Sequence, residues 1–234
     1  MTTYTPEALS RAIKAVSSDI RSRAMIDITL DEHQLWWELS CCILSSQVPY
    51  PLAIAAADRI SESGALLCQN RSEEELTDVL YKLLSKTFLV DGNERKYRFP
   101  KAKAEQLAST SRQVFLESKT LESLIGSFSD VDIARQWLVD KAPGLGPKQA
   151  SMFLRNCGFT YELAILDRHV LNYMSLIGIY NGRNLSISGM NQYDQHEKVL
   201  KKHAQELNCP VGLLDWAIWI VMRVAARTPK EIIV

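Results

Sequence analysis

The sequence predicts an all-α fold, on three observations. Apolar side chains recur three and four residues apart along most of the 234 residues, the spacing that gives a helix one buried face. Proline heads several of these stretches and glycine closes them, the asymmetry of helix starts and stops. Between two of them lies Pro143-Gly144-Leu145-Gly146-Pro147-Lys148, the composition of a tight reversal that ends one helix and opens the next.

Thr5 and Pro6 open the first helix, with Leu9, Ile13, Val16 and Ile20 on its apolar side. Met25 to Leu30 reads as a short extended piece. Helices follow over about 33–47, 52–63, 73–85, 101–117 and 130–141. Pro51 begins the second of these and Gly64 ends it, while Ser72 and Glu75 form a capping box for the third. The polar stretch Asp91 to Arg98 reads as loop. Asp130 is the expected N-cap of 130–141, whose stripe is Ile133, Ala134, Trp137 and Leu138.

Pro143 and Gly144 then stop that helix, Gly146 supplies the freedom for the reversal, and Pro147 sits in the first turn of a helix over about 147–157. Met152, Phe153 and Leu154 give it an apolar side, and Gly158 is placed to end it. The short apolar run Leu163-Ala164-Ile165-Leu166 leads to Asp167, the expected N-cap of a helix carrying Val170, Leu171, Met174 and Ile177 and ending near Gly178. Residues 180–193, rich in Asn, Gly and Ser, read as a linker before helices near 194–207 and 211–226.

Composition narrows the function classes. The formal net charge is zero, but residues 141–234 carry 11 basic and 7 acidic side chains against 16 and 20 in residues 1–140, so the hairpin-bearing part is positive. A second basic concentration is Arg95, Lys96, Arg98, Lys101 and Lys103, which reads equally as a solvated loop with a helix start or as a nucleic-acid contact. No apolar run reaches the roughly 18 residues of a membrane span, and Met1-Thr2-Thr3-Tyr4 has no signal-segment character, so a soluble cytoplasmic protein with no membrane partner is expected. Cys41, Cys42, Cys68, Cys157 and Cys209 contain no Cys-x-x-Cys pair and offer neither a zinc nor an iron–sulfur site. They read as free thiols, with Cys41 and Cys42 beside the core. His33, His169, His196 and His203 are scattered, so no metal and no cofactor is expected.

A glycine hairpin that opens a helix can hold a phosphate on backbone N–H groups, and Lys148, one step inside that helix, faces the same anion. Asp167, nineteen positions further on, needs no role beyond capping, yet a cap carboxylate is held in one direction with its ionised form favoured by the helix dipole. A lysine in the first turn is harder to account for, because a helix N-terminus disfavours positive charge.

Gly144-Leu145-Gly146-Pro147-Lys148 with Asp167 resembles the signature of the helix-hairpin-helix DNA glycosylase superfamily, and is most similar to its compact type 2 class of 8-oxoguanine DNA glycosylase/AP lyase. Three blocks carry the resemblance in the family's order across roughly residues 33–180: Glu38 to Gln47, Tyr97-Arg98-Phe99-Pro100 with Lys103-Ala104-Glu105, and Ala150 to Asn156 through Ile165-Leu166-Asp167-Arg168-His169. The resemblance implies a two-lobed helical fold with a cleft: a core lobe over 33–140, a hairpin and catalytic segment over 141–180, and a second lobe of 1–32 with 181–234. It implies Lys148 as the nucleophile at C1′ of a nucleotide turned out of the duplex, forming a Schiff base that can proceed to β-elimination, and Asp167 as the catalytic carboxylate. The partner would be double-stranded DNA with a damaged or modified base, bound by a monomer.

On the same grounds Gly144, Leu145, Gly146, Gln47 and Arg168 are candidate DNA-binding residues, and Gln47 could fill the space left by the everted nucleotide. Gln47 also reads as a plain polar helix end before Pro49. Trp219, Trp216 and Asp215 are candidates for the base pocket, although Trp216, Trp219, Ile220 and Val224 at helical spacing also suit a core. The C-terminus departs from the class, which ends soon after this helix with a lysine that recognises the oxidised purine. Here the chain continues through Thr228-Pro229-Lys230 to Val234, leaving Lys230 as a substitute or the pocket reshaped for another purine. A non-catalytic helix-hairpin-helix DNA-binding protein is the alternative from a different class.

Overall fold

The computed structural model describes residues 4–24, 30–182 and 185–227. The described residues form helices α1 Pro6–Ala24, α2 Glu32–Leu44, α3 Tyr50–Glu62, α4 Glu73–Ser85, α5 Pro100–Glu117, α6 Leu121–Gly126, α7 Val131–Lys141, α8 Pro147–Asn156, α9 Arg168–Leu176, α10 Met190–Glu206 and α11 Val211–Arg227, with one antiparallel pair, β1 Phe88–Val90 and β2 Asn93–Arg95. The all-α expectation holds. Nearly all of the extended piece expected over 25–30, and the tail with Lys230, lie outside the described residues.

The chain divides into two units, residues 29–157 and residues 1–28 with 158–234. The division falls within the stretch 141–180 that the sequence reading keeps together: the hairpin belongs to the first unit and Asp167 to the second.

In the first unit α2 is the central helix, buried along Leu35, Leu39, Cys41, Cys42, Ile43 and Leu44. Asp31 and Gln34 close its N-terminus as a capping box, Ser72 starts α4 as its capping box with Glu75 implies, and α3 begins at Tyr50 behind Pro49, two residues before the expected start, with Pro51 in its first turn. Two elements of this unit are additional to those expected. Residues 91–95 are not simply loop: Asp91 (φ 52°) and Gly92 (φ 74°) make a two-residue turn with Phe88 opposite Arg95, the Asp-Gly arrangement in which both central residues have positive φ. The Arg59 guanidinium steadies it, donating to the carbonyls of Leu83 and Thr87 while lying 3.7 Å over the Phe88 ring. Helix α6 was also unforeseen. Thr120 caps it locally, and Glu32, 89 residues earlier, accepts the N–H groups of Leu121 and Glu122.

The second unit packs α1 against α11 and α11 against α9, around Leu9, Ile13, Ile20, Val170, Met174, Leu214, Ala217 and Ile218. Helix α10 begins at Met190, four residues before the expected start, because Gly189 (φ 76°) makes the turn into it.

Glu38, in the middle of α2, ties that helix to the end of α8. Its Oε1 accepts from Asn156 Nδ2 at 2.6 Å and from the Cys42 thiol at 3.7 Å. Burial raises the Glu38 carboxyl above the usual glutamate range and outweighs both hydrogen bonds and the Arg155 charge. A carboxyl held more tightly protonated in the native state contributes stability at low pH, and that contribution is lost as pH rises from the ordinary glutamate value through the raised one. Glu38→Gln lacks this titration, so in urea unfolding between about pH 4 and about pH 8 the variant should gain on the wild type as pH rises and then level off. A pH-independent difference would contradict the assignment.

Candidate active site

Asp130 caps α7, its Oδ1 accepting from Asp132 N and Ile133 N. The buried face of α7 is Ala134, Arg135 and Leu138; Ile133 is 57 % exposed, contrary to the stripe read from the sequence. Its place is taken by Arg135, which is buried and donates to Asp132 and to Ser151 on α8, fixing the two helices of the motif to one another.

Between them the chain reverses at Gly144, whose φ of 91° is a conformation side chains rarely adopt. A Cβ there would also collide with the Gln106 carboxamide. Gly146, expected to provide the reversal, is extended (φ −97°, ψ 179°), a conformation any residue adopts, and serves as the N-cap of α8. Leu145, a candidate DNA contact, is buried at 5 % exposure and its N–H donates to the Ala142 carbonyl at 3.1 Å, so it anchors the turn. No side chain caps α8 and Pro147 brings no N–H, leaving the Lys148 and Gln149 amides at the positive end of the helix. The Lys148 side chain is half-buried and, among the described residues of its unit, its amine has no hydrogen-bond or ion-pair partner.

In the second unit the run Leu163–Leu166 is buried and non-helical, so its backbone polar groups need partners from outside the run. Three consecutive N–H groups find them in side chains. Ala164 donates to Glu197 Oε1 (2.8 Å), Ile165 to Asp215 Oδ2 (2.5 Å) and Leu166 to the Tyr193 hydroxyl (3.0 Å), which in turn donates to the Ala164 carbonyl. All three acceptors are buried, and two are carboxylates, whose hydrogen bonds are the stronger kind. The clamp delivers Asp167 as the N-cap of α9, as expected, with Oδ1 accepting from His169 N and Val170 N. Its second oxygen, Oδ2, has no partner among the described residues of its unit.

The remaining candidates fall in different surroundings. Helix α2 ends at Leu44, so Gln47 lies in the following loop, exposed and with a φ of 59° that is rare outside glycine. The Tyr97 hydroxyl donates to the Leu44 carbonyl at 2.6 Å and ties the irregular segment after β2 to that helix end. Arg168 is exposed at the start of α9. Trp216 is 39 % exposed and Trp219 is half-buried with the Arg223 guanidinium 4.8 Å over its ring, so neither fills the core, which α11 builds from Leu214, Ala217 and Ile218. Asp215, read as a pocket residue, is 1 % exposed and holds the Ile165 N–H. Sequence reasoning missed Tyr193 and Glu197, whose only signal was polar residues on an otherwise buried helix face. His196 is buried against Tyr180 and His203 hydrogen-bonds to Tyr173, and among the described residues no metal-ligating cluster forms.

Two helices joined by a reversal at a positive-φ glycine, the second with an uncapped N-terminus and a lysine in its first turn, define a helix-hairpin-helix protein. The chain belongs to the 8-oxoguanine DNA glycosylase family: the family profile described as "8-oxoguanine DNA glycosylase" matches residues 19–209. The chain is 31 % identical to the 8-oxoguanine DNA glycosylase/AP lyase of Saccharolobus solfataricus over 193 residues, covering 81 % of this chain and 83 % of that one. It is 33 % identical to the protein of that name from Sulfurisphaera tokodaii over 189 residues, 80 % and 82 % of the two chains. The crystal structure of the Thermotoga maritima 8-oxoguanine DNA glycosylase superposes with a TM-score of 0.66 at 26 % identity, over 92 % of this chain and 94 % of that one. That of the Methanocaldococcus jannaschii 8-oxoguanine glycosylase/lyase, in complex with a 15mer DNA containing 8-oxoguanine, superposes with 0.62 at 25 %, over 96 % and 91 %.

Two stability measurements check this geometry. Lys148→Gln removes a cation from the positive end of α8 and breaks no bond within its unit, so stability should be unchanged or higher by up to about 1 kcal/mol. A loss of that size would reveal an unrecognised partner. Asp215→Ala leaves a buried N–H without its acceptor and should cost about 3 kcal/mol in chemical denaturation, whereas a loss under about 1 kcal/mol would mean the clamp is dispensable.

Proposed function

We propose that this protein is a bifunctional DNA glycosylase/AP lyase that excises 8-oxoguanine from double-stranded DNA, with Lys148 as nucleophile and Asp167 as its supporting carboxylate. The observation that carries the reading is the Lys148 amine, kept without an anionic partner in its unit at the helix end least hospitable to a cation. Family membership supports the chemistry, and the glycosylase/lyase relatives support the substrate. Such a substrate puts the protein inside the cell, on chromosomal DNA.

The neutral amine attacks C1′ of the everted nucleotide. The glycosidic bond breaks, its electron pair leaves with the base nitrogen, and the base takes up a proton. Asp167 stabilises the positive charge that develops on the sugar, through the oxygen its cap bonds leave unused. The amine loses its protons as the sugar ring opens, giving a C1′=N Schiff base. Loss of a C2′ proton then expels the 3′ phosphate by β-elimination and cuts the strand, and water releases the lysine. Gly144, Gly146 and the uncapped amides of α8 hold a phosphate of the same strand. Gln47 occupies the gap in the duplex, Arg168 contacts the backbone, and Trp219 and Trp216 face the base. Asp215 serves the base site by holding the segment before Asp167.

Borohydride trapping tests the reading. The wild type should form a covalent adduct with an 8-oxoguanine duplex, Lys148→Gln should form none, and Asp167→Asn should slow single-turnover excision about 100-fold or more. Stronger trapping on another modified purine would reassign the base. Duplex binding without an adduct on any purine in the panel would favour a non-catalytic DNA-binding protein.

A further inference from the structure

Lys103, on α5, is only 6 % exposed, and its ammonium makes a single hydrogen bond, to Gln106 Oε1 at 2.8 Å. Among the described residues no carboxylate lies within ion-pair distance of it. Burying a cation against one neutral acceptor costs free energy that a methionine or leucine would not. Burial lowers the affinity of this amine for its proton, in keeping with that cost. The acceptor identifies what the cation lies beneath, since the Gln106 carboxamide packs directly on Gly144, in the space a Cβ there would take. The ammonium is thus one carboxamide away from Gly144 in the hairpin, and that hairpin opens α8, whose Lys148 and Gln149 amides have no side-chain cap. The helix dipole, the amides and the buried ammonium are all positive, and among the described residues of the unit no carboxylate pairs with that ammonium.

We propose that Lys103 completes the hairpin's phosphate site: a buried cation, oriented by Gln106 behind Gly144, that acts on a bound phosphodiester through the field it adds and is itself no part of the excision chemistry. The inference rests on the DNA-processing reading above and gives α5 a part in binding. In a protein of zero net charge, such a fixed interior cation supplies local attraction that is poorly screened by salt until DNA arrives.

The test compares wild type, Lys103→Met and Lys103→Arg for binding to a duplex carrying a tetrahydrofuran abasic-site analogue, which has no base to lose, over a series of salt concentrations. Single-turnover excision on saturating 8-oxoguanine duplex is measured alongside. Lys103→Met should bind about 10-fold more weakly, with a log–log salt slope shallower by about 0.9. Lys103→Arg should restore the slope. An unchanged slope in Lys103→Met, even with weaker binding, would make Lys103 a structural prop and overturn the proposal.

Should Lys103→Met not fold, NMR of the unmutated chain decides. The Lys103 side-chain resonances should move with the amides of residues 144–149 as duplex is added. Movement of the amides without the lysine would overturn the proposal. Excision by the wild type in the same series separates the two claims: its absence removes the glycosylase reading, whereas the slopes depend on duplex binding alone.

Discussion

A cation at the N-terminus of a helix is the constraint on which this protein turns. The dipole and free amides of α8 work against Lys148, and within its unit no carboxylate relieves it. Everything around the hairpin maintains that arrangement. Gly144 takes a backbone conformation that denies it a side chain, Leu145 anchors the turn in the core, and Arg135 fastens α7 to α8 from beneath.

Asp167 presents the same logic with opposite sign. A carboxylate is welcome at a helix N-terminus, so capping α9 needs no compensation. The costly part is the buried, non-helical run before it, whose amides are satisfied by Tyr193, Glu197 and Asp215 drawn from two later helices. Each of the two units therefore carries one of the proposed reactive groups at the start of a short helix, and each group owes its place to side chains remote in sequence.

What the sequence makes legible follows from the range of the interactions concerned. Helix starts at Pro147, Ser72 and Asp130, and the N-cap role of Asp167, depend on residues within one turn and are read directly. Helix α6 escapes because Glu32 caps it from 89 residues away. The β1–β2 turn carried a local Asp-Gly signal that its polar surroundings masked. Choosing between Gly144 and Gly146 as the reversal needed knowledge of Gln106, and the functions of Asp215 and Lys103 appear only once long-range packing is known. Lys148 and Asp167 stand out as candidates because their spacing is a family pattern; the scaffold that holds them has no such pattern in the chain.

The proposed chemistry runs through one amine. Mass spectrometric mapping of the borohydride-reduced complex locates it, because the reduced sugar remnant stays on the nitrogen that attacked. The added mass is expected on the side chain of Lys148 alone. A remnant on Lys103, on the chain's N-terminal amine or on another lysine would contradict it.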